Sequence, residues 1–111
     1  MTGEPGLYGL EGEPLSVVDW TLLRERLLAT GELRLGFTEV SAGVTVSTIW
    51  TGIDVMAAIH PYRTPRPYET MIFGGPLDLY LSRWTSREEA LEGHEALVRA
   101  ARNAEEEASD D

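Results

Sequence analysis

Two side chains in the second half of the chain have the chemistry to move protons: the carboxylate of Glu69 and the imidazole of His94. Glu69 shares one face of a predicted strand with two large apolar residues, where a carboxylate needs an ionic or hydrogen-bonding partner. His94 comes three residues after Leu91 and four before Val98, which predicts that it points inward from a helix. The pair predicts either acid–base chemistry over a sheet, or a core histidine and a glutamate held by an arginine.

A second candidate site is the loop from His60 to Tyr68, which carries two arginines and three prolines but no carboxylate. Arg63 and Arg66 offer planar guanidinium groups to a phosphate, and Tyr62 offers a ring for stacking. The loop predicts a site for a small nucleotide-like anion, or else a stiff connector with solvated arginines. Three polar residues outside the loop are added to these candidates. The full set of ligand-binding candidates is Asp54, Tyr62, Arg63, Arg66, Glu69 and His94.

The residue types that are missing exclude several chemistries. The sequence contains no cysteine, so disulfides, thiolate metal sites and cysteine nucleophiles are excluded. It contains no lysine, which excludes P-loop and Schiff-base chemistry. The only two histidines, His60 and His94, lack the spacing of a zinc motif, and we expect neither a metal nor a cofactor.

Length and charge bound the class of protein. A chain of 111 residues makes one domain. Its net charge is −10, but eight acidic residues lie in the two terminal segments, and without them the charge is −2. A nearly neutral middle argues against direct binding of nucleic acid through a basic surface. No apolar run is long enough to span a membrane and the N-terminus does not resemble a signal peptide, so we expect a cytoplasmic protein.

Periodicity predicts an α+β fold with the element order αββββα. A capping box at Ser16–Asp19 starts a helix whose inward stripe is Trp20, Leu23 and Leu27. Four strands follow at about 33–38, 44–55, 68–73 and 79–84, and a final helix covers 87–104. We expect an antiparallel four-stranded meander with both helices packed on one face. The predicted organisation is a flexible arm (1–14), one domain (15–104) and an acidic disordered tail (105–111).

Three segments together resemble a family of small bacteriophage and prophage proteins for which we know no activity. They are Val46–Asp54 (VSTIWTGID), Tyr68–Gly75 (YETMIFGG), and a third made of Arg83–Ser86, Glu89–Ala90 and Gly93–His94. The resemblance covers about residues 46–98, and the second segment is its most specific part. The family pattern has a histidine directly after the aspartate, where this chain has Val55. The resemblance implies a phage or prophage setting and no mechanism.

These observations favour a non-enzymatic accessory binding protein that occupies a host protein or sequesters a small anionic ligand, with opposition to host defence as one role. Because one sheet face or edge would stay open, we expect a homo-oligomer, in the simplest case a dimer. One alternative is a small enzyme that uses His94 and Glu69 as acid and base. Another is an acidic mimic of nucleic acid.

Overall fold

The structure, a computed structural model, describes residues 5–60 and 62–109. The four strands pair in chain order, each antiparallel to the next, so the sheet is a meander. The predicted α+β fold with the order αββββα is confirmed, and a short helix between the second and third strands is added to it. The elements are α1 (Val17–Thr30), β1 (Arg34–Ser41), β2 (Val44–Trp50), α2 (Val55–Ile59), β3 (Tyr68–Phe73), β4 (Leu81–Trp84) and α3 (Arg87–Ser109).

The first helix is bounded by the signals that its sequence contains. Ser16 Oγ accepts the backbone N–H of Asp19 at 3.1 Å, which satisfies one of the free donors of the first turn. Gly31 ends the helix in the left-handed conformation (φ 78°), where glycine has no steric penalty. The predicted inward stripe is confirmed, because Leu27 is buried and Trp20 packs beside it.

The second strand is shorter than predicted. It was expected to continue to Val55 but ends at Trp50, because Gly52 adopts a φ of 65° and leaves the extended conformation. A side chain at Gly52 would collide with the rings of Trp50 and Trp20. Asp54 then caps α2, its Oδ1 accepting the N–H of Ala57 at 3.3 Å. The segment predicted as the end of a strand and the start of a loop is therefore a turn and a helix.

One face of the sheet, the inner face, is covered by α3, which lies across all four strands, and by α1 at its end. The core on this face consists of two apolar clusters. One is centred on Val46, Ile72 and Val98, and the other on Trp50 and Tyr68. Polar residues at the intervening strand and helix positions lie between these clusters.

The opposite face, the outer face, has no helix over it among the described residues. Strand register arranges its side chains in three rows across the sheet. Phe37, Phe73 and Leu81 remain 53%, 43% and 38% exposed on it. The rows are Arg34–Ile49–Glu69–Arg83, then Phe37–Ser47–Met71–Leu81, then Glu39–Thr45–Phe73.

Both terminal segments make ordered structure where they are described. Leu7 forms an isolated antiparallel bridge with Ile53, and Tyr8 is buried. The last helix continues to Ser109, beyond its predicted end near Ala104, since glutamate and alanine are strong helix formers. Residues 1–4 of the predicted arm and 110–111 of the predicted tail lie outside the described residues. No helix in the described part of the chain is both long and apolar enough to cross a membrane.

Candidate functional site

His94 belongs to a chain of hydrogen bonds that crosses the inner face, which we call the threonine–histidine chain. Trp84 Nε1 donates to Thr70 Oγ1 at 2.9 Å, and Thr70 Oγ1 lies 2.6 Å from Thr48 Oγ1. Thr48 Oγ1 lies 2.7 Å from His94 Nδ1, and His94 Nε2 lies 2.9 Å from Thr38 Oγ1. Thr48 and Thr70 are fully buried and His94 is 4% exposed. The chain therefore occupies the layer between the two apolar clusters.

The indole of Trp84 fixes the direction of these hydrogen bonds, because it can only donate. Thr70 accepts that bond, and its own hydroxyl hydrogen is satisfied by donation to Thr48, its other hydrogen-bond partner in the described structure. Thr48 then donates to His94 Nδ1, and the ring hydrogen lies on Nε2, which donates to Thr38. This assignment satisfies every buried atom of the chain with a neutral imidazole.

The surroundings of His94 favour the uncharged ring for a second reason. Burial lowers the pKa of His94 below its ordinary value of 6.5, and the nearby carboxylate of Glu95 opposes that shift. Gly36 of β1 leaves room for the ring, because a Cβ at that position would lie only 2.9 Å from His94 Nδ1 and Cε1. His94 is thus held between the sheet and α3 with both nitrogens bonded, as a structural group rather than one open to a ligand.

Glu69 lies on the other side of the sheet from His94. Its register partner is Ile49, and its carboxylate faces Arg83, with Oε2 3.8 Å from Nε. The structure therefore does not bring Glu69 and His94 together, and the acid–base pair of the enzyme hypothesis is separated by the backbone of β3. An arginine partner for Glu69 matches the structural alternative that the sequence left open.

The residues of the loop between α2 and β3 do not converge on one point. Tyr62 is completely exposed, and Arg63 is half-buried. Asp54 is buried, and its Oδ2 accepts the backbone N–H of Arg66 at 3.0 Å while lying 4.0 Å from Arg66 Nε. Asp54 thus ties the loop to α2, and the predicted ligand-binding role of these residues stays a prediction.

A cavity lined by both apolar and charged side chains, which we call the arm pocket, lies elsewhere. It has a volume of about 430 Å³ and lies where the N-terminal arm, the end of α1, the start of β1 and the first residue of α3 meet. Tyr68 OH donates to the carbonyl of Leu10 at 2.8 Å, which holds the arm against the pocket. The lining residues are Leu10, Glu11, Leu27, Gly31, Glu32, Arg34, Leu35, Tyr68 and Arg87.

The charges around the arm pocket are of both signs. Burial raises the pKa of Tyr68 above its ordinary value of 10.0. Of the charges that act on its hydroxyl, Arg87 is the strongest and opposes the shift, while Glu13 and Glu11 add to it. The guanidinium of Arg34 lies over the ring of Phe37, 4.6 Å from its centroid. Arg87 is therefore the cation that acts most strongly on the Tyr68 hydroxyl.

Sequence reasoning missed the arm pocket because its wall comes from five separate segments. Local periodicity assigns Leu27 to the buried side of the first helix and Arg87 to the start of the last helix, without relating the two. The strongest available signal was Leu10, because an apolar residue in a glycine- and proline-rich arm indicates that the arm is anchored.

No protein-family model, curated protein or solved structure matches this chain. The described residues contain no group of three or more potential ligands that could hold a metal ion.

Proposed function

We propose that this chain is a non-enzymatic accessory binding protein of the phage or prophage type, acting in the host cytoplasm, and that it sequesters a small ligand in the arm pocket. The observation that carries the proposal is the cavity of about 430 Å³, whose lining combines leucines and a tyrosine with charged side chains. Ligand sites typically have this size and combine an apolar lining with a few charged groups that orient the ligand.

The pocket favours a ligand with an apolar body and one anionic group. Leu10, Leu27 and Leu35 supply the surface for the apolar body. Arg87 has no ion pair within 4.0 Å among the described residues, so the donors of its guanidinium are available to a carboxylate or phosphate. Glu11 and Glu32 offset the arginines at the rim. Selectivity must therefore come from direct contact with Arg87 rather than from long-range attraction.

The contacts of His94 support binding over catalysis. A general base must reach the proton that it abstracts, and both nitrogens of His94 already bond to threonines inside the core. Turnover of a substrate by the purified protein in a broad hydrolase screen would contradict this part of the proposal.

The ligand class can be tested with three probes that share one ring and differ in charge: naphthaleneacetate, naphthylmethylammonium and naphthalenemethanol. Titrations followed by amide chemical shifts give both the affinity and the site. We expect the anion to bind about tenfold more tightly than the neutral probe, which corresponds to one charge-assisted contact. The shifts should centre on Leu35, Tyr68 and Arg87.

Two matched arginine variants complete the test. Arg87→Gln should remove the preference for the anion and leave the affinity of the neutral probe unchanged. Arg83→Gln, on the outer face, should change neither affinity. Equal binding of all three probes, a preference for the cation, or shifts confined to the outer face would each refute the pocket assignment.

A further inference from the structure

The outer face is an apolar surface that the described chain leaves uncovered. Its middle row is Phe37–Ser47–Met71–Leu81, and Phe73 lies in the next row. Three of these side chains are more than a third exposed. Large contiguous apolar patches on a domain indicate an interaction surface rather than ordinary exposure.

The charges on this face lie at its two ends. Glu69 and Arg83, neighbours in the first row, pair with each other at 3.8 Å. Arg34 in the first row and Glu39 in the third have no ion pair among the described residues. The face therefore has one unpaired positive charge and one unpaired negative charge, both on β1 and about 13 Å apart at 3.3 Å per residue over four paired positions.

We propose that the occupant of the outer face is a second copy of this chain. The two copies pack face to face about a two-fold axis that lies between the two sheets and is perpendicular to the strands. That operation places the first row of one copy over the third row of the other. Arg34 then lies opposite Glu39 of the second copy, and the contact occurs twice. The middle rows meet each other, so Phe37, Met71 and Leu81 are buried by their symmetry equivalents.

The other two-fold arrangements fit the same face less well. An axis parallel to the strands places each row over itself and β1 over β4, so Arg34 would face Arg83 of the second copy. Pairing of β1 with β1 edge to edge also brings Arg34 near Glu39 of the second copy, but it leaves Phe73 and Leu81 in water. Only the proposed axis satisfies both the charges and the apolar rows.

The size of the face sets the expected strength of the dimer. Its three rows contain eleven side chains. Stable interfaces of standard size use about 20–30 residues a side. We therefore expect a dissociation constant in the micromolar range, with monomer and dimer exchanging as the protein is diluted. The dimer face and the arm pocket share Arg34, whereas Phe37, Glu39 and Leu81 belong to the outer face alone, so Glu39→Arg and Leu81→Arg test the dimer without changing the pocket lining.

Sedimentation velocity of the full chain over about 1–500 µM tests the proposal. The wild-type protein should change from monomer to dimer across this range. Glu39→Arg and Arg34→Glu should each weaken the dimer at least tenfold, and the double variant Arg34→Glu/Glu39→Arg should recover most of the loss. Glu92→Arg makes the same charge change at an exposed position of α3, away from the outer face, and should leave the dimer unchanged.

Leu81→Arg separates the face-to-face dimer from the edge dimer. It should abolish the proposed dimer, whereas an edge dimer through β1 would persist because Leu81 lies on the opposite edge strand. If this variant does not fold by circular dichroism, Leu81→Asn serves the same purpose. The proposal would be overturned if the wild-type protein stayed monomeric at every concentration, or if the dimer persisted in the Leu81 variants. It would also be overturned if the double charge variant did not restore the dimer that each single variant weakens.

Discussion

His94 Nδ1 lies 2.7 Å from the hydroxyl oxygen of Thr48, although 46 positions separate the two residues in the chain. The contact joins α3 to β2 in the layer between two apolar clusters. Because Trp84 fixes the direction of the hydrogen bonds, Thr70 and Thr48 each have one hydroxyl orientation that satisfies the layer. The layer therefore fixes the position of α3 on the sheet and also fills the space between the two clusters.

Replacing Thr48 with valine should be strongly destabilising although the side-chain volume is nearly unchanged. Thr70 would lose the acceptor of its hydroxyl, and His94 Nδ1 would lose its donor. Two unsatisfied buried groups cost together about 2–4 kcal/mol of the free energy of unfolding. Urea denaturation measures this cost. Thr45→Val, on the same strand but facing outward, should change stability by less than about 0.5 kcal/mol.

Stability should fall as the pH is lowered, through His94. The pKa of His94 is lower in the folded state than in the unfolded chain, so the unfolded chain binds the extra proton first. The loss begins as the pH falls through about 6.5 and continues until it reaches the lower pKa of the folded state. Protonation would also make Nδ1 a donor to Thr48, so the hydroxyl hydrogen of Thr48 would lose its acceptor.

Urea denaturation at pH values from about 8 to 5 measures this dependence. His60→Gln should keep it, because His60 is exposed, whereas His94→Gln should flatten the part of the curve that starts near pH 6.5. Equal curves for the wild type and His94→Gln would contradict the assignment.

The sequence predicted the fold and the inward direction of His94 because both depend on local periodicity. A histidine four residues before Val98 must share the buried side of the helix, and alternation placed Thr48 beside Trp50 on one strand face. The partners of His94 were not predictable. They lie 46 and 56 positions away, and the strand register that brings them together depends on bulges in β1.

The other differences between the predicted and the observed structure have causes in single residues and contacts. Gly52 adopts a left-handed φ that ends β2, and two tryptophan rings fill the space beside it. Gly93 faces the indole of Trp84. The arm pocket depends on the docking of the N-terminal arm through Tyr68, which no periodicity encodes.

Gly93→Ala tests a competition between two effects of opposite sign. Alanine should gain about 1 kcal/mol of helix propensity over glycine in α3. Its Cβ would, however, collide with the indole of Trp84, which cannot swing away without breaking its hydrogen bond to Thr70. Overpacking costs about 1–3 kcal/mol, and the lost bond adds about 1 more, so we expect net destabilisation of about 1–3 kcal/mol.

Thermal or urea denaturation gives the sign for Gly93→Ala directly. Asn103→Ala, at an exposed position of the same helix, is the control for propensity alone and should be slightly stabilising. A stabilised Gly93→Ala protein would mean that the indole of Trp84 can move, and that the threonine–histidine chain is less rigid than its distances indicate.

Tyr68→Phe tests what holds the N-terminal arm. The phenol of Tyr68 donates to the carbonyl of Leu10 at 2.8 Å, and removing it leaves that carbonyl without its side-chain donor. We expect a loss of about 1 kcal/mol in the free energy of unfolding. We also expect faster amide exchange in residues 7–15, because the arm opens locally before the domain unfolds. Tyr80→Phe, at a half-exposed ring, should change neither quantity. If exchange in the arm is unchanged, the backbone contacts of Leu7 and Tyr8 with Ile53 and Gly52 hold the arm, and the arm pocket keeps its wall without the Tyr68 hydroxyl.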